Sequence, residues 1–296
     1  MIFTMPKDLS ADISAGSLPG KDKHIAGYNL LVIERTEKVL GLFNREGIRT
    51  ILLKGIALLQ DIYKNPSERI LSDVDILIRP EELQKAESIL SGAGYRFAGT
   101  NNSNAVVYKI SSEPDIFLDL HYHLYNHLSP SQEKVYEPDE KTIWERAVPV
   151  RLGQEETRVL GPEDRIIYLC FHLLKERFSN HKWLKDLSLL IREKQDDIDE
   201  TEFIRAAKSS GTYKLCSMTI DHLNKIQGTR IKLLRDRHPE NEFRMYRFEK
   251  AVFGFLLKCR IYPLREALWL IAMDTAGKKT DFFIDLLKYI PKKVRT

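Results

Sequence analysis

Two kinds of hydrophobic pattern divide the chain. Before about residue 160, short apolar runs alternate with amphipathic stretches, whereas after it the apolar positions recur at helical spacing. In the first part we predict a helix over residues 25–45, a buried strand over 49–53 and a helix over 56–63. Asn65-Pro66 ends the second of these helices, because the residue before a proline disfavours helical backbone.

Further segments of the first part predict strands. Residues 71–78 and 116–124 show the period of two that is typical of strands, and residues 105–110 form a short apolar run. Residues 148–160 have the pattern of a hairpin. A helix over residues 80–91 begins with a proline and two acidic residues, which favour a helix start. This order of strands and helices indicates a mixed sheet covered by helices.

The second part of the chain has a helical pattern throughout. The predicted helices cover residues 162–177, 182–195, 199–210, 213–227, 241–259, 263–274 and 280–290. We therefore predict an α+β fold, with a mixed-sheet core and its helices over residues 23–155 and an all-helical domain over 156–296. Residues 1–22 are rich in Ser, Gly, Pro and Asp, and we expect them to form a disordered tail.

Composition narrows the class of protein. The 296 residues include ordinary shares of hydrophobic (43%) and charged (30%) residues for a globular protein. No apolar run reaches the roughly 18 residues of a membrane span, and the N-terminus has no secretory pattern. Cys170, Cys216 and Cys259 are odd in number and widely spaced. We therefore expect reduced thiols in a cytoplasmic protein with no membrane partner.

The formal net charge of +4 hides a basic segment that begins at Lys225. Its lysines and arginines could meet nucleic acid or a phosphorylated substrate, or they could be the solvated faces of ordinary helices. The pattern favours solvated faces, because no interleaved aromatic residues form a nucleic-acid-binding motif.

Two acidic residues interrupt the apolar strand over residues 71–78. Strand side chains alternate between faces, so Asp73 and Asp75 share one face while Val74 and Ile76 lie on the other. Two carboxylates about 5 Å apart repel each other by about 3 kcal/mol at an effective dielectric constant of about 20. A divalent cation removes this penalty, and the spacing therefore predicts a metal site.

Two other features add to this candidate site. Lys54 and Gly55 follow a strand and precede a helix, and they combine a positive charge with the unpaired amides of a helix N-terminus, which suit a phosphate group. Asp119 is centred in another alternating strand. If the two acidic strands are neighbours, Asp73, Asp75 and Asp119 gather around one or two metal ions. Carboxylates suit Mg²⁺, and we expect two ions.

Each of these residues also has a structural interpretation. The paired acids could protect a sheet edge against aggregation, and Asp119 could pair with a buried arginine such as Arg69. Arg69 could hold the loop before the acidic strand or contact phosphate, and neither role is favoured. Lys54 could be solvated. His121, on the same face as Asp119, could approach nucleotide or metal, or serve only a structural role.

The helical part contains a second, weaker candidate. His172, His181 and Asp186 are of the types that form the metal site of a phosphohydrolase. No adjacent His-Asp pair is present. We therefore favour a packing network in which Asp186 orients His172.

Several segments of the chain resemble a known family, namely LLKGIALLQDIY, RILSDVDILIRPEEL and IFLDLHYHL, followed by TIWERAVPV, VLGPEDRIIYLCFHLLKERF and KWLKDLSLLI. They are similar to the uncharacterised nucleotidyltransferase family of the DNA polymerase beta-like superfamily. The resemblance implies a nucleotidyltransferase core joined to a helical domain. It also implies that Asp73 and Asp75 are the paired metal-binding acids and Asp119 the third. Lys54-Gly55 stands where the wider superfamily has Gly-Ser.

The implied reaction is metal-dependent transfer of a nucleotidyl group from a nucleoside triphosphate to the hydroxyl group of an unidentified acceptor. In this hypothesis Lys54, Gly55 and Arg69 contact the phosphates, with His121 close by. Asp119 helps to deprotonate the acceptor. Two alternatives stay open, namely a nucleotide-binding or interaction module with this fold and no turnover, and association with nucleic acid through the basic C-terminal segment.

Overall fold

The computed structural model describes residues 21–101, 104–125, 136–227, 249, 251–257 and 267–273. Residues 21 and 22 belong to the first helix, and the remainder of the predicted disordered tail lies outside the described residues. The predicted helix over residues 280–290 and most of the basic segment after Lys225 also lie outside them.

Seven strands form one sheet in the described part of the chain. They are β1 (Ile51–Leu52), β2 (Val74–Leu77), β3 (Arg96–Asn101), β4 (Ala105–Ser112), β5 (Asp115–His121), β6 (Val148–Leu152) and β7 (Glu155–Val159). Their order across the sheet is β3-β4-β5-β2-β1-β7-β6. β2 is parallel to β5 and antiparallel to β1, which is itself parallel to β7. The predicted mixed sheet and α+β class are confirmed.

Helices precede, interrupt and follow the sheet. They are α1 (Lys21–Arg45), α2 (Lys54–Asp61), α3 (Leu83–Gly92), α4 (Glu140–Arg146), α5 (Pro162–Lys175), α6 (His181–Glu193), α7 (Glu200–Ser209), α8 (Tyr213–Gln227) and α9 (Ala267–Ala272). The helices after the sheet follow the predicted spans closely where these are described. In the described residues, no helix is long and apolar enough to cross a membrane.

A single hydrophobic core connects the sheet with the helices on both sides of residue 156. Leu40 of α1, Ile76 of β2 and Leu169 of α5 are all buried members of it. Burying such a side chain contributes about 1.5–3 kcal/mol, so the core stabilises both parts together. The boundary predicted between residues 155 and 156 falls at the start of β7, and the division into two domains stays a prediction.

Three local differences from the predicted elements matter for the site. β2 begins at Val74 rather than at residue 71, so Asp73 lies before the strand. β5 ends at His121 rather than at residue 124. β3 and α4 were not predicted. β3 lacks an alternating pattern and carries an exposed Phe97, as an edge strand can, whereas α4 is a short helix whose start Asp139 caps.

Candidate active site

Two aspartates lie side by side on neighbouring strands in the middle of the sheet. β2 and β5 pair in parallel with Asp75 opposite Asp119, which puts both side chains on the same face. Both are buried, with exposed fractions of 1% for Asp75 and 8% for Asp119. The acidic strands are therefore neighbours, and they bring together two of the three predicted carboxylates.

His121 completes a group of three possible metal ligands. Asp75, Asp119 and His121 each place one ligand atom within 4.8 Å of the other two, and this is the only such group among the described residues. Nε2 of His121 lies 3.0 Å from Oδ1 of Asp75, while its buried Nδ1 has no hydrogen-bond partner among the described residues. On the other side, Nδ2 of Asn101 donates to Oδ2 of Asp119 at 3.0 Å.

Asp73 lies beside this group rather than within it. Because β2 begins at Val74, the strand alternation that was expected to align Asp73 with Asp75 does not reach it. Its carboxylate accepts a hydrogen bond from Ser72 Oγ at 2.7 Å. Its charge still affects the site, since burial, Asp75 and also Asp73 raise the pKa of Asp119. Metal binding by Asp73 stays a prediction.

Lys54 brings a positive charge to these acids. It is the first residue of α2, and its Nζ donates a hydrogen bond to Oδ1 of Asp75 within an ion pair. Its side chain is only 14% exposed, so Lys54 is not the solvated lysine that stood as an alternative. Its φ angle is 46°, a conformation that costs a residue other than glycine about 1–3 kcal/mol.

The surroundings move the pKa values of the two paired acids in opposite directions. Burial favours protonation of Asp75, but Lys54 and His121 outweigh burial and hold its pKa well below the ordinary value. Burial raises the pKa of Asp119, and the charge on Asp75 raises it further. Asp75 is thus the ionised partner of Lys54, and Asp119 is the stronger base of the two.

Arg69 holds the strand-to-helix turn in place. Its buried guanidinium donates from Nε to both carboxylate oxygens of Asp186, at 3.1 and 2.9 Å, and Asp186 also accepts a 2.6 Å hydrogen bond from Tyr63. A Cβ on Gly55 would lie 2.2 Å from Nη1 of Arg69, so any larger residue there would displace the Arg69 guanidinium. The geometry favours the loop-holding role of Arg69 over phosphate contact, and Asp119 is not its partner.

The helices after the sheet add positive charge that the sequence analysis missed. Burial, together with the nearby charge of Lys54, lowers the pKa of Lys175 at the end of α5 to about 8. Burial and the charge of Arg69 likewise lower the pKa of Lys182 in the first turn of α6. In the described part of the chain, neither Lys175 nor Lys182 forms an ion pair. Nothing in their local sequence distinguishes them from ordinary surface lysines.

The second candidate, in the helical part, does not form a metal group among the described residues. Asp186 bonds to Arg69 and Tyr63, so the prediction that it orients His172 is wrong. The His172 ring instead packs edge-on against Trp183, with centroids 4.3 Å apart. Burial holds the pKa of His172 well below its ordinary value, so the imidazole is neutral at neutral pH.

The donor set suits a hard divalent cation. Carboxylate oxygens are the ligands that Mg²⁺ and Mn²⁺ prefer, and Asp75 and Asp119 offer them from adjoining strands. His121 already contacts Asp75 and can fix the orientation of that carboxylate. The residue before α2 is Leu53, whose side chain cannot cap the first amides of the helix, and such helix starts suit an anion.

A mixed sheet that presents two aspartates on parallel strands, next to a strand-to-helix turn, has the arrangement of a nucleotidyltransferase core. The chain belongs to the family described as uncharacterised nucleotidyltransferase, whose sequence profile matches residues 11–227. The resemblance found in the sequence is thereby confirmed. A search of curated proteins finds no match.

Three solved structures are similar to the chain at low identity. The antibiotic-resistance factor ANT(2'')-Ia has a TM-score of 0.42 and 13% identity, with 68% of this chain and 97% of the other covered. The lincosamide antibiotic adenylyltransferase LnuA has a TM-score of 0.39 and 18% identity, covering 53% and 94%. An antigenic nucleotidyltransferase-like protein from Paracoccidioides brasiliensis has a TM-score of 0.42 and 12% identity, covering 70% and 89%. Likeness at this level says nothing about the substrate of this chain.

Proposed function

We propose that the protein is a metal-dependent nucleotidyltransferase that moves a nucleotidyl group from a nucleoside triphosphate to a hydroxyl group of an acceptor. The observation that carries this proposal is the parallel register of Asp75 and Asp119, which puts two buried carboxylates side by side. A purely structural site would not retain this repulsion. Membership of the nucleotidyltransferase family supports the same class of reaction.

The acids of β2 and β5 are the proposed ligands of the metal. Asp75 and Asp119 hold it, Asp73 is a further proposed ligand, and Mg²⁺ is the expected ion. A bound divalent ion would neutralise charge that develops on the transferred group.

Asp119 is the residue best suited to take the proton of the acceptor hydroxyl. Burial and the charge of Asp75 raise its pKa and so make it a better base, while Asp75 stays ionised against Lys54. In the proposed step, the acceptor oxygen forms a bond to the α-phosphorus and the bond from that phosphorus to the leaving pyrophosphate breaks. The hydroxyl proton passes to Asp119.

Positive groups for the triphosphate come from both parts of the chain. In this proposal Lys54 and the amide of Gly55 bind it from the start of α2, and Lys175 and Lys182 assist from the helices after the sheet. Lys175 and Lys182 are half-buried and form no ion pair in the described residues, so the negative charge of a triphosphate would complement them. Arg69 positions the turn through Asp186.

Calorimetric titration with Mg²⁺ and each nucleoside triphosphate tests the proposal directly. We expect binding by the native protein and a loss of more than about 100-fold in the Asp75→Asn variant, beyond the range seen for residues that only support a metal ligand. Asp115→Asn, which changes an exposed acid at the start of β5, is the matched control and should bind normally. No binding, or binding that Asp75→Asn leaves unchanged, would contradict the proposal.

One observation favours a second candidate, a module that binds nucleotide without turnover. Lys54 already occupies an oxygen of Asp75, and the turn lacks the serine of the wider superfamily. Incubation with labelled triphosphates and a panel of hydroxyl acceptors separates the two. Mg²⁺-dependent product would exclude the binding module, whereas tight binding without product from any acceptor would favour it.

A further inference from the structure

The ion pair of Lys54 with Asp75 limits how many cations the site can take. Oδ1 of Asp75 accepts hydrogen bonds from both Nζ of Lys54 and Nε2 of His121. A carboxylate oxygen has two lone pairs, so Oδ1 is fully used by these two donors. Only Oδ2 of Asp75 is left to bind a metal.

The other acids offer few additional ligand atoms. Oδ2 of Asp119 accepts a hydrogen bond from Asn101, and Oδ1 of Asp73 accepts one from Ser72. Asp73 also lies outside the group whose ligand atoms meet within 4.8 Å. One free oxygen from each of Asp75 and Asp119 is enough for a single ion, because Mg²⁺ in phosphate-handling sites is held by one or two carboxylates plus substrate and water.

The position of the Lys54 side chain is set by its contacts. Its ammonium is largely buried against Asp75, and its backbone has a positive φ that the following turn maintains. Gly55 packs directly against the guanidinium of Arg69, which Asp186 anchors from α6. Contacts from both parts of the chain therefore aim Lys54 at the acids.

We infer that the site takes one divalent ion per chain, and that the ammonium of Lys54 holds the place of the second cation. This number rests on the proposed function and replaces the two ions that the sequence led us to expect.

Counting bound Mn²⁺ tests the inference without any turnover. Full-length protein is titrated with Mn²⁺ alone, and free and bound ions are counted by electron paramagnetic resonance. We expect one Mn²⁺ per wild-type chain and two per Lys54→Met chain, in which the length of the side chain stays and its charge is lost. Lys54→Arg should bind one. Lys85→Met changes an exposed lysine that pairs with Glu46, and it should bind one like the wild type.

Two Mn²⁺ ions on the wild type, or none, would overturn the inference. A Lys54→Met chain that binds one ion, more tightly than the wild type does, would also overturn the inference. In that case Lys54 would compete with the only ion of the site. Thermal unfolding checks that Lys54→Met is folded. If Lys54→Met is unfolded, the numbers of Mn²⁺ ions bound by the wild type and by Lys54→Arg test the inference. If the wild type binds two ions and forms product, only this inference is wrong. If it binds one ion but no nucleotide, only the proposed function is wrong.

Discussion

Asp75 and Asp119 have the same side chain and adjoining positions, yet their surroundings give them opposite effects on stability. The lowered pKa of Asp75 stabilises the fold above the ordinary value of 3.8, and this contribution is lost as the pH falls towards the folded pKa. The raised pKa of Asp119 does the reverse. Below pH 3.8 Asp119 is protonated in both the folded and the unfolded chain and causes no loss of stability. The loss develops as the pH rises from 3.8 through the raised pKa of the folded state. At neutral pH Asp119 therefore costs stability.

Asp119→Asn should raise the melting temperature of the metal-free protein at pH 7, because it removes a buried charge next to Asp75. The gain should vanish as the pH falls below 3.8, where the carboxyl group is protonated in both folded and unfolded chains. Thermal unfolding in a chelating buffer between pH 3.5 and about 8 measures both effects. Asp115→Asn, an exposed change, should stay within about 0.5 kcal/mol of the wild type. A lower melting temperature for Asp119→Asn at pH 7 would contradict the argument.

His121 is expected to act on the metal through Asp75. Its Nε2 lies 3.0 Å from the carboxylate, so His121→Ala should free that group to rotate and weaken Mn²⁺ binding by about 10–100-fold. Mn²⁺ titration measures the affinity. His123→Ala is the matched control, because His123 lies two residues further on and is exposed. Equal Mn²⁺ affinity in both variants would exclude a role for His121.

At the scale of elements, the turn from β1 into α2 depends on a missing side chain. Gly55→Ala puts a methyl group only 2.2 Å from Nη1 of Arg69, so the buried arginine has to move. Such overpacking costs about 1–3 kcal/mol. Urea unfolding measures the loss. Gly92→Ala, at the end of α3, places its new Cβ more than 4 Å from the described atoms outside its own helix backbone and chain neighbours, and should be neutral or stabilising by up to about 1 kcal/mol. Equal effects would refute the packing argument.

α6 is attached to the sheet side of the molecule by a buried ion pair. Asp186→Ala leaves the Arg69 guanidinium buried without its partner, and breaking a buried pair in this way costs about 3–5 kcal/mol. Arg192→Ala removes one member of an exposed pair on the same helix and should cost at most about 0.5 kcal/mol. Chemical denaturation compares them. If Asp186→Ala is as mild as the control, the pair does not hold α6.

Sequence reasoning succeeded where the relevant contacts are local or periodic. Alternation in β5 placed Asp119 and His121 on one face, and apolar spacing located the helices after the sheet. It failed where a distant partner decides the outcome. The contact of Arg69 with Asp186 joins residues 117 positions apart, and no local pattern reveals it. The start of β2 was predicted three residues too early, because an apolar run of residues does not show at which residue strand pairing begins.

At the scale of the whole molecule, the site draws its charges from both sides of residue 156. Mg²⁺ with a nucleoside triphosphate at 100 times its dissociation constant should stabilise the protein by about 2.7 kcal/mol. Because Lys182 is half-buried near the charge of Arg69 and forms no ion pair in the described residues, Lys182→Met should weaken this stabilisation at a fixed ligand concentration. Thermal shift assays measure it. Lys208→Met, an exposed lysine near Tyr213, should behave as the wild type does, and equal shifts for the two variants would argue against the phosphate role.

The tie between Arg69 and Asp186 has a practical meaning for anyone who dissects this protein. A fragment that stops after β7 keeps Asp73, Asp75 and Asp119. It loses Asp186, which holds Arg69 against the turn from β1 into α2. Such a fragment would be a poor substitute for the intact protein in tests of the proposed activity. Sequence changes in α6, outside the strands that carry Asp75 and Asp119, should therefore also weaken the proposed nucleotidyl transfer.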